Sequence, residues 1–166
     1  MFRGETKAYG ALITYSVNKS KLAFPPADEK PSDDAEKKVP SDTVKLKVEI
    51  SDALGAVVRK MDISTTKNGI NRFTWNLRRD GFRMPRAGGD IPEEFRPQGP
   101  EVLPSKYTVK LKVGKEEVSQ TVEVVFDSRV NFSTDVRRQK LEMVMKVGQR
   151  IEVVTEAVDR IQRARR

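Results

Sequence analysis

The sequence predicts a mainly β protein: an antiparallel β-sandwich followed by one long C-terminal α-helix. Three observations predict it. Apolar and polar residues alternate strictly in TVKLKVEI and again in KYTVKLKV, turn signals separate runs of this kind, and a heptad-like apolar stripe without proline begins after Asn131.

Tyr9 to Val17 reads as a first strand. The stretch 18–42 follows, with Pro25, Pro26, Pro31 and Pro40 among Asp, Glu, Lys and Ser; it has no periodicity and is predicted to be a flexible loop. In TVKLKVEI, Val44, Leu46, Val48 and Ile50 alternate with Lys45, Lys47 and Glu49, the pattern of a strand with one buried and one wet face. The DALG turn then leads to a return strand, Val57 to Ile63, with Gly55 supplying the positive φ of a tight hairpin. Asn68-Gly69 is a second turn signal, read as a second hairpin that carries Ile70, Phe73, Trp75 and Leu77.

From 79 to 104 the chain holds Gly81, Gly88, Gly89, Gly99 and five prolines, and is predicted to be a long irregular connection between sheets. Tyr107, Val109, Leu111 and Val113 alternate with Thr108, Lys110 and Lys112, and Gly114-Lys115 turns the chain into a last strand ending near Phe126. Six or seven short antiparallel strands place residues 1–130 in an immunoglobulin or fibronectin-III-like sandwich. Its predicted core is Leu46, Val48, Ile50, Val58, Phe73, Trp75, Tyr107, Val109, Leu111, Val122 and Val124.

Residues 131–166 form the second unit. Ser133 is the expected N-cap, Asp135 lies in the first turn, and Gly148 is the only glycine before the end. Val144, Val147, Ile151, Val154, Val158 and Ile161 step by three and four residues and form the predicted partner-binding stripe. More than thirty helical residues span about 45 Å, longer than a small sandwich is wide. Burying six such side chains is worth on the order of 10 kcal/mol before entropy costs, so the stripe calls for a partner, another protein or a second copy.

Composition narrows the chemistry. The 166 residues contain no cysteine and no histidine, which removes disulfides, thiolate and imidazole metal sites, and Ser-His or Cys-His nucleophile pairs. No window approaches the length of an apolar membrane span, and MFRGETKAYGALITYSV has no apolar signal core, so the expectation is a soluble chain. The net charge is +8, and between Val136 and Arg166 nine basic residues face four acidic ones. Nucleic-acid binding is disfavoured, because acids interrupt the basic positions of the helix and no aromatic interleaves with them.

With these elements laid out, the segments FRGETKAYGALITYSV, VEISDALGAVVRKM, NGINRFTWNLRRDG, GPEVLPSKYTVKLKV and FDSRV resemble the C-terminal immunoglobulin-like module of bacterial sortilin-like, BNR-repeat β-propeller proteins. The hairpin region is also similar to the Ig-like domain of flagellar hook-assembly scaffold proteins. Ser105 departs from the glycine of that module's Pro-Gly-x-Tyr turn. The resemblance implies a non-catalytic accessory module, normally appended to a propeller and periplasmic or secreted. The Asp-box strands behind any hydrolase activity in such proteins are not in this chain.

The remaining candidates weigh as follows. Trp75 admits two readings, a sugar-stacking platform or a core anchor, and its place between Phe73 and Leu77 on one strand face favours the core. Arg72 and Arg78 are placed to bridge Asp52 or Asp80 at the hairpin ends. The acids Asp28, Glu29, Asp33, Asp34 and Glu36 lack the glycine of a calcium loop, and the adjacent Glu93 and Glu94 point apart on an extended chain. No catalytic, cofactor or metal residue is assigned. The function expected is protein-protein assembly, with a carbohydrate-binding module as the alternative and a hydrolase third.

Overall fold

The computed structural model describes residues 9–21, 43–85, 97–127, 129 and 133–165. The proline-rich loop with its five acids, and Glu93 and Glu94, lie outside the described residues.

Among the described residues eight strands precede the helix: β1 (Ala11–Val17), β2 (Val44–Ser51), β3 (Val57–Thr65), β4 (Gly69–Trp75), β5 (Arg78–Asp80), β6 (Gln98–Glu101), β7 (Ser105–Val113) and β8 (Glu116–Val124). A single 3₁₀ turn, Lys19–Lys21, follows β1. All pairings are antiparallel, in a four-stranded sheet of order β3-β2-β7-β8, a two-stranded sheet β1-β4 and a short ribbon β5-β6. This is an Ig-like sandwich.

The β2-β3 hairpin follows from its turn. Asp52 Oδ1 accepts hydrogen bonds from the backbone N–H groups of Leu54 (3.0 Å) and Ala56 (2.9 Å), while Gly55, at φ 82°, donates to the Asp52 carbonyl. One side chain closes the loop, and glycine gives it its handedness.

Asn68-Gly69 behaves differently from the hairpin read in the sequence. β3 pairs with β2, whereas β4 leaves that sheet and pairs with β1, with Ile13 opposite Phe73 and Ala11 opposite Trp75. The turn is therefore an arch between layers. Its polar groups are satisfied by Asn71, whose amide donates to the carbonyls of Lys67 (3.1 Å) and Gly69 (2.9 Å) and whose carbonyl accepts from the Thr65 hydroxyl.

The arch brings Trp75 over the four-stranded sheet. There Val48, Ile50, Val58, Tyr107 and Val109 form the main core with it, lined by Ile13, Phe73 and Leu77. A second cluster, Val17, Val44 and Leu46, fills the other end. Seven of the eleven predicted core residues are buried; Phe73, Leu111, Val122 and Val124 are half-buried, because among the described strands the facing layer is the narrow pair β1-β4 and β8 is an edge strand. Val17, Val44 and Val102 are buried in addition.

Trp75 is wholly buried, packs edge-on against Tyr107 with ring centres 5.4 Å apart, and donates its indole N–H to the Arg78 carbonyl at 3.0 Å. That bond spans the bend at Asn76-Leu77, where Leu77 adopts φ 57°, a left-handed conformation costing a branched side chain about 1 kcal/mol. The bend launches β5. Residues 79–104, read as irregular, thus hold strand at both described ends: β5 is stitched to β3 by the Arg59–Asp80 ion pair (3.3 Å) and by the Lys60 N–H bonded to Asp80 Oδ2 (3.0 Å), and β6 lies beside it. The arginine pairing also differs from the expected one. Asp80 takes Arg59, Arg78 takes Glu101 at 3.6 Å, and Asp52 is spent on its turn.

Replacing Trp75 by Phe keeps an aromatic ring but removes the N–H and leaves a void; unfolding in urea followed by circular dichroism is expected to show a loss of roughly 2–4 kcal/mol. A second expectation concerns alkali. Burial raises the Tyr107 phenol above its ordinary 10.0, with the Arg79 charge opposing, and its hydroxyl donates to the Leu103 carbonyl at 2.5 Å. The folded state holds this proton more tightly than the unfolded chain, so the stability it confers is complete below the unfolded pKa and is lost as pH rises through the folded one. Tyr107→Phe should flatten the fall of stability above pH 10 and cost about 1 kcal/mol near neutrality.

Candidate protein-interaction surface

The helix α1 (Thr134–Ala164) begins where Ser133 Oγ accepts the Asp135 N–H at 3.3 Å, and Asp135 places a negative charge in the first turn. It runs for 31 residues. Near its start the Arg137 guanidinium lies over the Phe126 ring, 4.5 Å from the centroid, which joins the first turns to the chain leaving β8.

The principal attachment is in the middle. Gly148 is buried because the Phe82 ring, carried on the segment after β5, occupies the place where a Cβ would stand. One turn on, the Arg83 N–H donates to Glu152 Oε1 at 3.2 Å, and the buried Thr155 hydroxyl lies within reach of the carbonyls of Ile151 (2.8 Å) and Arg83 (3.1 Å). The Arg83 guanidinium pairs with Asp159. Two consecutive residues, Phe82 and Arg83, thus engage the helix over about three turns.

This attachment splits the six-residue stripe read in the sequence. Val144, Ile151 and Val158 are half-buried and share, by helical spacing, the side occupied by Gly148 and Thr155. Val147, Val154 and Ile161 are 52%, 56% and 54% exposed. Val136 and Met143 continue their line toward the N-terminus, and Val153 flanks it, all more than half exposed. The outward line is therefore apolar and uncovered among the described residues.

Sequence reasoning missed Gly148 and Thr155 because it followed hydropathy, and neither residue is hydrophobic. A signal existed: a glycine inside a helix costs about 1 kcal/mol relative to alanine and calls for a steric reason. Phe82 gave no signal, since it sits outside any periodic segment.

The sandwich offers little to the carbohydrate alternative. Trp75 is inside, Tyr107 is buried and Tyr15 half-buried; among the described tyrosines and tryptophan only Tyr9, 67% exposed, faces water. Carbohydrate platforms need aromatic faces in register.

Comparison with known proteins returns one family: residues 27–87 match the FlgD Ig-like domain, which covers the DALG hairpin, the arch and Trp75. No curated protein and no solved structure matches.

Phe82→Ala should free the middle of the helix without opening the core. Amide hydrogen exchange across 141–158 is expected to rise by about tenfold or more, while Trp75 fluorescence stays that of a buried indole.

Proposed function

We propose that the chain is a non-catalytic assembly module, in which the Ig-like sandwich is a rigid base and α1 presents a surface to a protein partner. The observation that carries this reading is the outward line Val136, Met143, Val147, Val154 and Ile161, more than half exposed on a helix fixed along a neighbouring stripe about a quarter turn away. A helix whose apolar side chains were all needed for docking would not repeat such a line beside the docked stripe. The match of residues 27–87 to the FlgD Ig-like domain supports the assembly reading. The resemblance of the flanking segments to the C-terminal module of BNR-repeat propeller proteins supports attachment of the module to a β-propeller.

Affinity purification from cells of the source organism tests the reading. The unaltered chain should retain a defined set of polypeptides, and Val147→Ser/Val154→Ser/Ile161→Ser, with its Trp75 fluorescence unchanged, should lose them. Retention of the same set by both chains would overturn it.

A further inference from the structure

The outward face of α1 also specifies the charge of what it binds. Written as a heptad, its seam alternates Val136, Lys140, Met143, Val147, Arg150, Val154, Ala157 and Ile161 at steps of four and three. Beside it, on the flank away from the sandwich, lie Gln139, Lys146, Val153 and Arg160. Lys140, Lys146 and Arg150 are exposed. No acid occupies the seam, and Glu142 borders that flank one turn before Lys146.

The other four acids of the helix are engaged by basic residues. Glu152 and Asp159 are engaged by Arg83, Glu156 pairs with Arg160, and Asp135 lies 3.8 Å from Arg138 in the first turn. The surface is thus an apolar line whose seam carries Lys140 and Arg150 and no acid, with Lys146 beside it.

Resting on the module reading above, we propose that this face binds an acidic amphipathic helix of a partner protein. Charge decides against a second copy. In a parallel pair Lys140 would meet Lys140 and Arg150 would meet Arg150 within the seam; in an antiparallel pair the flank carrying Lys146 and Arg160 would face itself. Either geometry brings like charges together, within the seam or beside it. Side-chain type decides against a lipid surface. Interfacial helices anchor through Trp, Phe and Leu, and this line has valine, isoleucine, methionine and alanine, whose short or branched chains suit knobs-into-holes packing against another helix. A partner helix with its own apolar seam and flanking Glu or Asp satisfies both the line and the cations.

The test uses the whole chain and two fluorescein-labelled 28-residue helical peptides with identical Ile/Leu seams, one flanked by Glu and the other by Lys. Fluorescence anisotropy should show the Glu peptide binding at least about tenfold more tightly than the Lys peptide, with the advantage shrinking as salt rises. Lys140→Glu/Lys146→Glu/Arg150→Glu should reverse the preference while helical circular dichroism and Trp75 emission stay unchanged. Equal affinity for the two peptides, binding of neither, or a preference that survives the charge reversal would overturn the proposal. So would a dimer seen by sedimentation equilibrium and abolished by Val154→Asp, or binding to phosphatidylserine vesicles that the Glu peptide does not displace. If the peptides fail while retention from cells still depends on Val147, Val154 and Ile161, the acidic helix is wrong and the module reading stands; if that retention ignores the three residues, the module reading falls as well.

Discussion

The hydrogen bond from the Trp75 indole to the Arg78 carbonyl is the constraint from which the rest of the structure follows. It ties the largest of the fully buried side chains to the backbone just beyond a left-handed residue, so the direction in which the chain leaves β4 is set by core packing. That direction places β5 against β3, where Asp80 receives Arg59 and the Lys60 N–H, and two residues further on it delivers Phe82 and Arg83 to the helix. Core, ribbon and helix are serial, each oriented by the one before.

The same series explains why a charged helix can be held by so little sandwich surface. Phe82 and Arg83 meet α1 through a ring seated on a glycine, a backbone N–H, a backbone carbonyl and a guanidinium, four contacts of different kinds from adjacent residues. Apolar contact alone would allow sliding by a turn; a carbonyl at Thr155 and a cation at Asp159 fix the register. The outward line, a quarter turn from these contacts, is left to other uses because the attachment does not draw on its side chains.

Much of this was legible in the sequence where periodicity is local. Val44, Leu46, Val48 and Ile50 could be placed on a buried face because a strand has period two, and the Ser133 cap could be named because its chemistry is complete within three residues. What was not legible is what depends on distant partners. Asn68-Gly69 announces a change of direction, but whether Gly69–Trp75 returns to β3 or crosses to β1 is decided by pairings such as Ile13 with Phe73, which no short window contains. The split of the helical stripe was hidden for a related reason: Gly148 is a docking residue only by virtue of Phe82, some sixty-six positions earlier.

The arch at Asn68-Gly69 has a consequence in time. The β2-β3 hairpin can close from neighbouring residues, whereas β1 stays without its partner until β4 has been made, and pairing Ala11 with Trp75 must pay the entropy of a far longer loop. During synthesis Ala11 and Ile13 are thus the first core-facing residues of the sandwich to appear and among the last to be covered, and the order of events runs opposite to the order of the chain.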